Sequence, residues 1–181
     1  MTTSATIYQF LSLCLLYPEP DLVSQLHETA AATNLQWAGN LVATFAAETM
    51  ETLQVEHTRL FVNNIDGVPC PPYESAYVDG QLLTATTRSV AAAFAEWGLE
   101  QSLETADFLP VELQFVAYLH ELAEQSSEPE TVELARRHFE TAHLQRWLPR
   151  FATDLQQHAR VDFYREVGNR LAELINTPPE D

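Results

Sequence analysis

The sequence predicts an all-α fold: one globular bundle of several helices, with one long proline-rich loop. Three observations carry that expectation. Almost every segment repeats its apolar residues at helical spacing. Glycine is scarce, five in 181 residues, while residues that lose little on entering a helix dominate the long stretches. No alternating apolar–polar run of useful strand length occurs. An apolar share of 46% is enough for a core in a chain of this length. Residues 1–181 are expected to form a single helical domain, without fixed-period repeats or glycine-rich linkers.

The elements follow in order. The first helix is expected from Ser4 to Leu16, with Ile7, Phe10, Leu11, Cys14 and Leu15 on one face; Pro18 and Pro20 then forbid continuation. Asp21 is the expected N-cap of a second helix through Ala32. A third helical region runs, with a break, from Gln36 to Val62. The turn signal "NNIDG" opens an irregular segment over about 63–79, which contains the proline cluster. "LLTATTRSVAAAFAEWG" reads as a helix stopped by Gly98. After the polar "LEQSLETAD", Asp107 is placed to cap a helix that tolerates Pro110 in its first turn. Phe115, Tyr118, Leu119 and Leu122 form that helix's buried stripe. Further helices are expected over Pro129–Leu144, restarting near Trp147 because of Pro149, and over Asp162–Ile175. Residues 176–181 are expected to fray.

The charge is lopsided. Twenty-six acids face nine basic residues, all arginine, for a net −17. Such a chain repels nucleic acid and anionic membranes, and suits a cationic partner or simple solubility. No run approaches the roughly 20 apolar residues of a membrane span. "FLSLCLL" resembles a signal-peptide core, yet no basic residue precedes it and no small-residue cleavage pattern follows. A cytoplasmic location is therefore expected. One pair of cysteines, Cys14 and Cys70, does not define a disulfide framework.

Catalytic and cofactor signatures are missing. Five scattered glycines make no phosphate cradle. His27, His57, His120, His138, His143 and His158 stand at no spacing that signals zinc. Cys70, beside acids, is disfavoured as a thiolate. The expectation is a binding protein without metal, cofactor or enzymatic activity.

The segment "PCPPYESAYV" concentrates what remains. Each proline fixes its own φ and restricts its predecessor, so the segment is pre-ordered. It can present Tyr73, Glu74 and Tyr77 at little entropic cost, a combination suited to apolar and cationic side chains. The alternative is a stiff connector whose aromatics fill the core.

Three separated blocks carry a resemblance. "EHTRLFVNNIDGVPCPPYESAYVDG" provides Glu56, Leu60, Phe61, Pro71, Pro72, Tyr73, Glu74 and Ser75. "ADFLPVELQFVAYLHELA" provides Asp107, Glu112, Leu113 and Phe115. "HFETAHLQRWLPRF" provides His143, Leu144, Trp147, Pro149 and Phe151. Together with the opening "FLSLCLLYPEP", they resemble, in order, the motifs of the TorD/DmsD/NarJ-type redox-enzyme maturation chaperones. Two positions depart from that pattern: His57 stands where tyrosine is commoner, and Phe108 replaces the usual histidine.

The resemblance implies an all-helical, non-enzymatic TorD-like chaperone. It would bind the apo catalytic subunit of a molybdopterin oxidoreductase, often through a twin-arginine leader, and delay export until the client's molybdopterin guanine dinucleotide is inserted. It also implies a monomer or a domain-swapped dimer. Tyr73, Glu74, Tyr77, Asp107, Phe108, Glu112 and His143 become the client-binding candidates, with Glu74 and Asp107 facing leader arginines across a groove. The remaining motif positions, Glu56, Leu60, Phe61, Pro71, Pro72, Ser75, Phe115, Trp147 and Pro149, are expected to be structural. Alternatives stay open: Asp107 as cap of its own helix, Glu112 paired with Arg59, Tyr73 as a core residue, and His143 in either role. The rival reading is a helical adaptor unrelated to molybdoenzymes.

Overall fold

A computed structural model describes residues 3–100, 102 and 105–176. Among them there is no strand, and helices account for most of the chain: α1 Thr3–Cys14, α2 Leu22–Thr33, α3 Gln36–Ala46, α4 Met50–His57, α5 Glu74–Val78, α6 Ala85–Ala95, α7 Leu109–Gln125, α8 Pro129–Phe139, α9 Gln145–His158 and α10 Asp162–Asn176. Two single π turns, Thr58–Val62 and Glu140–Leu144, follow α4 and α8 directly. The all-α expectation stands, and no helix among the described residues is long and apolar enough to cross a membrane.

The chain divides into two compact units. The first comprises Met1–Ser12 and Pro72–Trp147. α7 and α8 form a hairpin across the short Ser126–Glu128 connection, and the unit's centre is aromatic. Ring centroids lie 4.5 Å apart for Phe94 and Phe115, and 4.8 Å apart for Phe115 and Phe139. Arg136, 8% exposed, binds Glu133 and Glu140, and Glu140 also accepts the Tyr8 hydroxyl at 2.6 Å.

The second unit comprises Leu13–Pro71 and Leu148–Asp181. Phe45 and Phe163 meet edge to face at 4.9 Å, and Phe61 packs against His57, Tyr164 and Phe151. Leu60 and Phe61, two motif residues, are therefore core. His57 is buried too, its Nε2 3.1 Å from the Leu15 carbonyl; burial lowers its pKa, so the ring stays neutral. Gly168 lets α10 approach α9 closely. A Cβ there would stand 3.0 Å from the Ala152 carbonyl oxygen and 3.2 Å from the Gln156 amide. Gly168→Ala is expected to destabilise by about 1 kcal/mol in urea denaturation. The helix-propensity gain of about 1 kcal/mol is outweighed by an overpacking cost of about 1–3 kcal/mol.

Several local expectations need correction. Asp21 precedes α2, but its carboxylate does not cap it; Oδ2 accepts from the Gln25 side chain instead. The segment 63–79 is not irregular throughout, because α5 forms inside it. The helix expected from residue 82 begins at Ala85. Thr84 and Thr87 form a capping box, and Leu83, at φ +60°, lies in the left-handed region and ends any earlier helix. The stop at Gly98 holds: its φ of +72° lets the Leu99 amide reach the Phe94 carbonyl. Pro149 does not restart the helix near Trp147. The ladder has already re-registered through the π turn and resumes at Gln145, so the proline removes one bond near the start of α9 without breaking it. The connection over 99–107 lies partly, and the tail beyond Asn176 wholly, outside the described residues.

Candidate functional site

The proline cluster positions α5. Tyr73 precedes it in extended conformation and pairs with Phe108 as an isolated antiparallel bridge. The Leu109 amide donates to the Pro72 carbonyl at 2.9 Å, and the Glu74 amide donates to the Asp107 carbonyl at 3.1 Å. Tyr73 itself offers no side-chain cap to α5. Asp107 supplies one from elsewhere in the chain: its Oδ2 accepts from the Ser75 amide at 2.8 Å. The expected capping role is therefore real, but it serves α5; α7 starts after Phe108 without a side-chain cap.

This arrangement gathers three carboxyl groups. Glu74 at the start of α5, Asp107 before α7 and Glu112 in the first turn of α7 are all at most 1% exposed. His143, in the π turn, is 6% exposed, and its Nδ1 hydrogen-bonds Glu74 Oε2 at 2.9 Å. Arg146 Nη1 stands 3.6 Å from the other Glu74 oxygen, with half of its side chain in solvent. Trp147, 1% exposed, packs against Tyr77, their ring centroids 5.4 Å apart.

Tyr73, Tyr77 and Phe108, on the same segments, are half-buried. The Tyr73 and Phe108 rings are 5.3 Å apart, so phenylalanine at 108 serves as an aromatic partner in place of the usual histidine. Burial, then the charge of Asp107, raises the Tyr73 phenol's pKa and keeps it protonated.

Glu112 is the strongest electrostatic feature. Desolvation, then the charges of Glu74 and Asp107, hold its carboxyl well above the usual carboxylate range, while the Trp147 indole exerts a weaker pull the other way. A neutral, proton-bearing carboxyl is the result. The alternative pairing with Arg59 is not made. Arg59 is held by Glu56 through two bonds of 2.8 Å.

All seven client-binding candidates from the sequence thus lie in one unit, with their carboxyls buried instead of lining an open groove. Sequence reasoning missed Arg146; its one available signal was its place immediately before Trp147 in the third motif block.

The sequence profile described as "Nitrate reductase delta subunit" matches residues 21–153, a span that contains every residue of this site. The chain belongs to the nitrate reductase delta subunit family. This family is one of NarJ/TorD-type redox-enzyme maturation chaperones, not of catalysts. A protein from Archaeoglobus fulgidus, provisionally assigned as a redox enzyme maturation protein, has the same fold: TM-score 0.73 at 22% identity, over 96% of this chain and 94% of that one. No curated protein matches the sequence.

Burial, then Asp154, pushes the Cys70 thiol up to about 12, which disfavours a nucleophilic thiolate. Among the described residues, no three His, Cys, Asp or Glu side chains are grouped so as to hold a metal ion. The family's Glu, Leu-Phe and Phe positions, Glu56, Leu60, Phe61 and Phe115, are packing and clamp residues.

Proposed function

We propose that this chaperone captures an arginine-bearing, partly apolar leader of the apo catalytic subunit of a molybdopterin oxidoreductase. It would hold that client in the cytoplasm until the client's own molybdopterin guanine dinucleotide is in place. The observation that supports this reading best is the grouping of buried Glu74, Asp107 and Glu112 with half-buried Tyr73, Tyr77 and Phe108 in one unit.

Acid under an aromatic rim suits a guanidinium followed by apolar side chains. The rings offer faces to the cation and area to the apolar part, and carboxylates offer planar, charge-assisted acceptors. Buried charges are weakly screened, so they act at short range even at physiological salt. The rim makes first contact. Glu74 and Asp107 pair directly only when α5 yields, because both are buried. His143 holds Glu74 in place through its 2.9 Å bond. The net charge of −17 speeds encounter with a cationic segment, an effect that fades with salt.

Titration calorimetry of the full chain with a synthetic leader of the client subunit tests this. Tyr73→Ala and Phe108→Ala are each expected to weaken binding by about fivefold or more, the equivalent of about 1 kcal/mol. Glu74→Gln is expected to weaken it as well. Unchanged affinity in all three variants would remove the rim from client binding. Binding of the mature subunit without any binding of the leader would overturn the leader assignment.

A further inference from the structure

Glu74 Oε1 has no hydrogen-bond partner, and beside it the Glu112 carboxyl has only the Trp147 indole acting on it. Both side chains are fully buried. An orphaned buried acceptor costs free energy, so Glu74 Oε1 points to a donor that completes it. The nearest cation is the chain's own, and it is poorly seated. Arg146 Nη1 lies 3.6 Å from Glu74 Oε1, beyond hydrogen-bond reach, and its other bond, to the Ala142 carbonyl, is a long 3.4 Å.

We propose that Glu74 and Glu112 form a guanidinium-accepting site, and that Arg146 stands at its mouth as an internal placeholder for the client's arginine. The inference rests on the client-capture reading and names the chemical group captured. A guanidinium carries five donors in one plane, enough to serve Glu74 Oε1 and an ionised Glu112 together, whereas among the described residues no three His, Cys, Asp or Glu side chains group to hold a metal ion. Arg146 lies beside Glu74 Oε1, and a client arginine displaces it as α5 yields.

Glu112 adds a proton to the exchange. Glu74 from α5, Asp107 from the turn before α7 and Trp147 from α9 face it, and His143 and Arg146 act on it through Glu74. Burial and the neighbouring charges favour its protonated form, and an entering guanidinium favours its ionised form. The O–H proton leaves to solvent as the ion pair forms.

The test is calorimetry with a synthetic peptide bearing two adjacent arginines followed by a run of leucine and alanine. Arg146→Ala is expected to bind about two- to fivefold tighter than wild type, the scale of a half-exposed ion pair. Arg88→Ala, the same charge change at an exposed position on α6, controls for net charge and is expected to move affinity less. Titrations in two buffers of different ionisation heat are expected to show release of up to about one proton by wild type and none by Glu112→Gln. An Arg146→Ala affinity no higher than that of Arg88→Ala would overturn the placeholder. Equal proton release with and without Glu112 would overturn the acceptor role of that residue. If the peptide binds neither wild type nor Arg146→Ala, the client-capture reading fails. Methylguanidinium then tests the site by itself: it is expected to shift the His143 ring resonances at lower concentration in Arg146→Ala than in wild type, and no shift in either protein overturns the site.

Discussion

Glu56→Ala is expected to lower the stability of the protein by about 3 kcal/mol, the scale of breaking a buried ion pair. In a chain of this size that is a fall in melting temperature of about 10 °C. Glu56 is 4% exposed, and each of its oxygens is engaged. Arg59 Nε donates to Oε2 and Nη2 to Oε1, both at 2.8 Å. The Arg160 amide donates to Oε1 at 2.6 Å. Arg59 in turn donates to the His158 carbonyl at 2.6 Å, so one carboxylate ties the end of α4 to the turn between α9 and α10. Alanine leaves a mostly buried guanidinium without its counter-charge and an amide without its acceptor. Both losses exceed the modest worth of an exposed pair.

The pH dependence gives a second readout. Desolvation opposes ionisation of Glu56, but the Arg59 hydrogen bond and the Arg160 amide outweigh it, and the folded-state pKa is lowered. The stabilisation is therefore present above the unfolded carboxylate value, roughly 4.3, and is lost as pH falls through the folded value. The gap between wild type and Glu56→Ala should narrow in acid. A loss under about 1 kcal/mol at neutral pH, within the range of exposed pairs, would contradict the clamp.

The same clamp shows what the sequence could and could not disclose. Glu56 and Arg59 are three apart, a spacing at which helical neighbours pair, so this contact was legible locally. The alternative pairing of Glu112 with Arg59 could not be decided from the sequence, because 26 acids hide which ones are buried. Helix positions were readable wherever apolar periodicity was unbroken, as in α2 and α10, and wherever a glycine with positive φ ended an element, as at Gly98. The π turns were not readable, because one added residue per turn leaves no compositional trace; with them went the placement of His143 and the tolerance of Pro149. α5 was hidden for a different reason. Its cap comes from Asp107, 32 residues away, and a proline-rich stretch offers no local sign that a helix can start there. The site residues were found through motif resemblance, since nothing in their local spacing brings 74, 107, 112 and 143 together.

Wild type is expected to lose stability, relative to Glu112→Gln, as pH rises from the unfolded carboxylate value, roughly 4.3, toward the raised folded value. The argument begins with two opposed effects on one carboxyl. Glu112 lies in the first turn of α7, where the helix dipole favours a carboxylate by about 0.3–1 kcal/mol. Against that stands complete burial, which penalises an ion by several kcal/mol, together with the charges of Glu74 and Asp107. The second set prevails, and the folded-state pKa is raised well above the unfolded value. Between those two values the folded chain binds more protons than the unfolded chain. Stability from this group is thus fully present below the unfolded pKa and declines with rising pH, by up to about 1.4 kcal/mol per pH unit, until the folded value is passed. Glutamine keeps the shape of the neutral acid, including a donor, and cannot ionise. Urea denaturation of both proteins across the pH range isolates Glu112, because groups the two share largely cancel in the difference. The stability of Glu112→Gln minus that of wild type should grow with pH. A flat difference would mean that Glu112 ionises in the folded protein as it does in the unfolded chain, against the raised folded value.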